Sequence, residues 1–106
     1  MHAFDVLGDP VRRRILDLLA DGEQPAGVVG AVVQDEFGIS QPAVSQHLRV
    51  LLDAGLVTVR AEGTRRFYAT DPRGLQALRT WLDTVWSSAL TAFAAHVDAP
   101  PAPQEE

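Results

Sequence analysis

Two helical runs separated by only three residues, Gly38-Ile39-Ser40, constrain this chain more than any other feature. Ahead of the break, Val29, Val32, Val33 and Phe37 recur at helical spacing in a segment that begins at Pro25 and carries the weakening residues Gly27 and Gly30. Behind the break, Ser40 is a good N-cap and Pro42 falls in the first turn. Val44, Leu48, Leu51 and Leu52 then form an inward stripe, and Gly55 is placed as a left-handed C-terminal residue. Two short helices joined by so tight a glycine-containing link read as a helix-turn-helix.

The flanking segments follow the same local rules. Asp9-Pro10 opens a helix whose Val11, Ile15, Leu18 and Leu19 share one face and which Gly22 stops. A short helical piece precedes it, anchored by Phe4 and Leu7. Residues 56–61 are a β-branched run, Glu62-Gly63-Thr64 makes a turn, and residues 65–70 return, which predicts a β-hairpin with a charged tip. Asp71-Pro72 repeats the cap-plus-proline start. The last helix carries Leu75, Leu78, Leu82, Val85, Trp86, Leu90, Phe93 and Val97. Residues 98–106 are acidic and Pro-rich and are expected to be disordered. The expected fold is mainly α with a small β-hairpin, one domain over residues 1–97.

Composition narrows the function. The 106 residues suit one domain, and 46% apolar content supports a small core. There is no cysteine, which excludes disulfides, thiolate metal sites and cysteine nucleophiles. No run is long and apolar enough for a membrane span and the start lacks a signal-peptide layout, so a cytoplasmic location is expected. No acidic pair at catalytic spacing, nucleophile elbow or glycine-rich phosphate loop is present, so no enzyme is expected. The net charge of −5 by itself disfavours a polyanionic partner, but its distribution points the other way. Residues 40–79 hold six arginines (49, 60, 65, 66, 73 and 79) against only Asp53, Glu62 and Asp71. Local potential, not the total, decides where a polyanion docks.

With the elements in this order, three stretches resemble the ArsR family of winged helix-turn-helix regulators. Leu7-Gly8-Asp9-Pro10-Val11-Arg12-Arg13-Arg14-Ile15-Leu16 is similar to that family's opening helix. Residues 40–51, Ser-Gln-Pro-Ala-Val-Ser-Gln-His-Leu-Arg-Val-Leu, look like its recognition helix. Ala54-Gly55-Leu56-Val57 and Glu62-Gly63-Thr64-Arg65-Arg66-Phe67-Tyr68 match its helix exit and wing. The resemblance covers roughly residues 4–97, with a segment before Gly38 slightly longer than the family's. It implies a homodimeric, DNA-binding transcriptional repressor that reads an inverted repeat through the helix at 40–54 and the wing at 56–70.

On a 100° helical wheel, Val44, Leu48 and Leu51 fall on one side. Pro42, Ser45, Gln46 and Arg49 fall on the other, with Gln41 free at the N-terminus. Glutamine pairs with adenine N6/N7, arginine with guanine O6/N7, and serine with either base type or phosphate. Ser40 at the cap lies where helix amides meet a phosphate. The family resemblance places base contacts at Gln41, Pro42, Ser45 and Gln46. His47 sits at the edge of the inward stripe and reads either as a phosphate contact or as a half-buried histidine bonded within the fold. In the hairpin, Arg60, Thr64, Arg65 and Arg66 are candidates for backbone or minor-groove contact. Strand alternation puts Arg65 and Arg66 on opposite faces. Arg65, at the tip, is expected to face DNA, and its neighbour to pair with Glu62 or Asp71. Arg12, Arg13 and Arg14 are expected to act within the fold, with Asp9 and Asp17 in pairing range.

The apolar stripe of the last helix runs longer than a small core can cover, which points to a homodimer interface. Leu82, Trp86, Leu90 and Phe93 would form it, and the resemblance adds Phe4 and Leu7. Some relatives sense metals through an Asp-x-His pattern followed by two further ligands. Asp83 and His96 match that pattern, whereas Val85 and Ala99 replace the other two, so no metal and no cofactor are expected. A winged helix that binds protein or RNA instead of DNA, and a small-molecule inducer held by the last helix, are further readings that the residues leave open.

Overall fold

A computed structural model describes residues 3–98. The order is α1 (Ala3–Val6), α2 (Pro10–Leu19), β1 (Gln24–Pro25), α3 (Ala26–Phe37), α4 (Gln41–Asp53), β2 (Val57–Glu62), β3 (Arg65–Thr70) and α5 (Pro72–Asp98). The chain divides into a unit that runs to Gln76 and a second that starts at Ala77, inside α5. His2 and the acidic tail from Ala99 onward lie outside the described residues. Among those described, no helix is long and apolar enough to cross a membrane.

The capping residues behave as their chemistry dictates. The Asp9 carboxylate accepts from the amides of Val11 (2.8 Å) and Arg12 (3.3 Å), and Ser40 Oγ accepts from the Ala43 amide (3.3 Å). Gly38 closes α3 at φ 66°, a conformation that glycine adopts without strain. α2, α3 and α4 pack against one another, and β3 packs on α2 and α3. The core comprises Val6, Val11, Ile15, Leu19, Val29, Val33, Val44, Leu48, Leu51, Leu56, Val57 and Tyr68.

Four local expectations are corrected. Val6, fully buried, anchors α1, whereas Phe4 and Leu7 are only half-buried. Phe37 lies on the surface because α3 ends where its last turn leaves the core. The hairpin loop is Gly63-Thr64 alone, since Glu62 pairs with Arg65. A positive φ confined to Gly63, the first loop residue, is the II′ arrangement that suits strand twist. The sheet has three strands in the order β1-β3-β2, because Gln24 and Pro25 pair with Tyr68 and Phe67.

The hairpin is tied to the rest of its unit by more than backbone. Arg60 forms a fork with Glu23, Nε and Nη2 each donating at 2.7 Å, and reaches Glu62 at 3.3 Å. Its guanidinium also lies 4.5 Å from the centre of the Phe67 ring. The hydrogen bonds from Arg60 hold the Glu23 carboxyl below the usual glutamate range.

At the far end of the hairpin, a Cβ on Gly74 would run into the carbonyl of Gly55. Gly74→Ala is therefore expected to lower stability by about 1–3 kcal/mol. Gly27→Ala, with nothing within 4 Å of its new Cβ, should be neutral or mildly stabilising. Paired thermal denaturation checks both. The lowered pKa of Glu23 predicts a pH effect as well. Its contribution should be complete above the ordinary value of 4.5 and fade as pH falls through the lowered one. Denaturation curves of wild type and Glu23→Gln should differ at neutral pH and converge in acid.

Candidate nucleic-acid interface

α4 is held by Val44, Leu48 and Leu51, all at most 5% exposed. That burial fixes which way its other face looks. Gln41, Pro42, Ser45, Gln46 and Arg49 are all exposed, as the wheel requires, and His47 is half-buried. Arg49 has only a long ion pair to Asp53 (4.0 Å), with both side chains more than two-thirds exposed. A surface pair of that kind contributes little and yields easily to a better partner.

Opposite α4 stands the hairpin, and an open cleft of about 580 Å³ lies between them. Gln41 and Ser45 line one side, Thr64, Arg65, Arg66 and Tyr68 the other, and the first turn of α3 forms a third wall. Both wing arginines reach the cleft, and the ladder register sets the strand face from which each does so. Val59 pairs with Tyr68 and Ala61 with Arg66, so Arg66 shares the face of buried Tyr68. Arg60 pairs with Phe67 and Glu62 with Arg65, which places those four on the other face.

The wing arginines do not partner as expected. Glu62 takes Arg60, and Asp71 takes Arg73 at 3.6 Å, so neither acid is paired with Arg65 or Arg66. The geometry explains this: Arg60 reaches both Glu23 and Glu62 from one position, and Asp71 also caps α5 by accepting from the Arg73 amide. Arg65 lies over the Phe67 ring at 5.0 Å, close to the tip. Arg60 is drawn to the same outer face, and its fork with Glu23 holds its guanidinium in the strongly charged state.

The three arginines of α2 are occupied. Arg12 Nε donates to the Val6 carbonyl (2.7 Å) and its Nη1 approaches His47 Nδ1 (3.3 Å). Arg13 donates to the Leu7 carbonyl (2.7 Å), and Arg14 forms a fork with Glu36 at 2.8 and 3.0 Å. Of the expected acidic partners, Asp9 lies 4.0 Å from Arg12, and Asp17 acts on Arg14 through its charge, while the fork of Arg14 goes to Glu36. Two contacts of the site have no counterpart in the sequence pattern: Glu23 with Arg60 and Arg12 with His47. Each joins residues more than thirty positions apart, beyond the reach of helical or strand periodicity.

In the second unit, Leu82, Trp86, Leu90 and Phe93 are between 49 and 64% exposed and recur at helical spacing. Asp83 pairs with Arg79 at 3.8 Å. Among the described residues, no three His, Cys, Asp or Glu side chains gather as a metal site would need. Ala99, one of the two positions that depart from the metal pattern, lies outside them.

Comparison with known proteins agrees with this architecture. Residues 7–60 match the family model of a helix-turn-helix domain. An HTH-type transcriptional regulator of Mycobacterium tuberculosis is 48% identical over 92% of this chain and 88% of its own length. The crystal structure of a protein described as a possible transcriptional regulator for arsenical resistance superposes with a TM-score of 0.73 at 42% identity, covering 91% of this chain and 96% of that one. A solution structure from Mycobacterium bovis, described as a homodimeric winged helix-turn-helix DNA-binding domain of a possible ArsR-family regulator, has a TM-score of 0.59 at 30% identity, covering 78% and 73%. The chain belongs to the ArsR family of winged helix-turn-helix transcriptional regulators.

Proposed function

We propose that the chain is a cytoplasmic repressor that binds an inverted-repeat operator in double-stranded DNA as a homodimer, without a metal or other cofactor. The observation that carries this reading is the outward face of α4, polar and unobstructed, set beside an arginine-bearing hairpin across an open cleft. A helix of this width enters a major groove, where Gln41, Ser45 and Gln46 meet base edges and Pro42 lies against a thymine methyl. The N-terminus of α4, with Ser40, supplies amides and a partial positive charge to a phosphate. Arg49 reaches a guanine or the adjoining strand. Arg66 and Thr64 close on the backbone from the cleft side, and Arg65 does so from the tip. Arg60 contributes through the position of the hairpin, because its fork to Glu23 keeps it on the outer face.

The dimer reading rests on α5. Trp86 and Phe93 are each more than 60% exposed, and contiguous exposed apolar surface of this kind marks an interface. Leu82 and Leu90 extend the stripe, with Phe4 and Leu7 of α1 as further contributors. A two-fold pair places two copies of α4 about one DNA turn apart, which calls for an inverted repeat. The homodimeric relative from Mycobacterium bovis supports the same assembly.

Titrating selected and scrambled duplexes against salt tests both surfaces at once. Gln46→Ala should weaken the selected site by about 1–3 kcal/mol and leave scrambled DNA unchanged. Arg66→Ala and Arg65→Ala should weaken both duplexes alike and reduce the salt slope by about 0.9 for each phosphate left without its arginine. Trp86→Glu with Leu90→Glu should sediment as a monomer and lose both affinities. If the α4 and hairpin substitutions leave affinity unaltered, the surface binds protein or RNA instead.

A further inference from the structure

The contact between Arg12 and His47 joins the opening helix to the recognition helix, and its chemistry is directional. A guanidinium has five N–H donors and no acceptor. At 3.3 Å from Arg12 Nη1, His47 Nδ1 must therefore be the acceptor. An imidazole that accepts at Nδ1 is neutral and carries its proton on Nε2. Arg12 is itself well fixed. Its side chain is 16% exposed, its Nε donates to the Val6 carbonyl at 2.7 Å, and Asp9 lies 4.0 Å from Nη1. Asp9, which interacts with His47 through its charge, and Arg12 both come from the start of α2. The other ring nitrogen looks away from Arg12. It has no partner among the described residues and is not sealed from solvent.

We infer that Arg12 is a positioning residue for DNA binding. It sets the tautomer of His47 so that Nε2–H becomes a neutral, outward donor to a phosphate oxygen beside the groove read by Gln46. This inference rests on the DNA-binding reading above and adds to it a residue that never touches DNA. It also resolves the two roles open to His47: the ring is bonded within the fold through one nitrogen and serves the ligand through the other.

The free protein gives the first test. Long-range proton–nitrogen correlation spectra should show His47 as the Nε2–H tautomer in wild type and as a mixture in Arg12→Gln. A wild-type ring protonated on Nδ1 overturns the inference without reference to DNA. Binding gives the second test. His47→Ala should weaken selected and scrambled duplexes equally, by about tenfold to a hundredfold per half-site, the usual net worth of one hydrogen bond to a charged acceptor. Its salt slope should match wild type, because a neutral donor releases no counterion. His47→Gln, which carries an N–H at a similar reach, should recover most of the loss. Arg12→Gln should weaken binding in the wild-type background and add nothing in His47→Ala. A lowered salt slope in His47→Ala, or additive losses in the double variant, overturns the positioning role. So does unchanged binding in His47→Ala where Gln46→Ala weakens the selected site, an outcome that leaves the DNA-binding reading standing. Unchanged binding in both variants overturns the two together.

Discussion

The capped exit of α4 is the constraint on which the rest of the first unit depends. The Leu56 amide donates back to the Leu51 carbonyl and the Gly55 amide to the Leu52 carbonyl, both at 3.0 Å. With Gly55 at φ 74°, this is the double bond of a Schellman turn. Leu51 and Leu56 are both fully buried, as the apolar contact that accompanies such turns requires. The turn satisfies carbonyls that a helix end would otherwise leave bare, and it aims the chain straight into β2. The returning strand closes on the same place, since the Asp71 amide donates to the Leu56 carbonyl at 2.9 Å. The start of α5 crosses at Gly74, where only a hydrogen fits against the Gly55 carbonyl. Helix exit, hairpin and α5 start thus share one junction, and the angle between α4 and the hairpin follows from it.

A second principle is how a protein of net charge −5 presents a basic surface. Arginines 12, 13, 14 and 60 are spent on carbonyls, His47, Glu36 and Glu23. Arg73 and Arg79 sit beside acids about one turn away or less. Arg49, Arg65 and Arg66 have the loosest ties, and all three lie on α4 or the hairpin. Counting arginines along the sequence finds the basic segment, whereas hydrogen-bond geometry shows which of them are available. A local field built from a few uncommitted guanidinia attracts a polyanion, while the acidic remainder repels indiscriminate contact.

Much of this was legible in the sequence because it is governed by local rules. Asp9 and Ser40 as caps, Gly38 as a helix break, Gly55 as a left-handed stop, and the inward stripe of Val44, Leu48 and Leu51 each depend on residues within one or two turns. The outward face of α4 followed from the same stripe. What escaped was non-local or too short to carry a period. Gln24-Pro25 forms a strand only because β3 offers it an edge, and proline lacks a donor and gives no strand signal. Val6, not Phe4 or Leu7, anchors α1, since a single-turn helix has too few residues to define a face. Phe37 looked internal by spacing, but spacing says nothing of where the partner surface ends. The Glu23–Arg60 and Arg12–His47 contacts are products of the tertiary fold, and no pattern along the chain foretells them.

If the exposed face of α4 reads base sequence while the hairpin positions it, the two roles separate in a selection of bound duplexes from a random pool. Wild type and Gln46→Ala are run side by side. Wild type should enrich an inverted repeat with half-sites about one helical turn apart. Gln46→Ala should enrich the same repeat with the preference relaxed at one position in each half-site. Enrichment of no sequence by wild type, or of an identical sequence by both proteins, would contradict a base-reading role for α4.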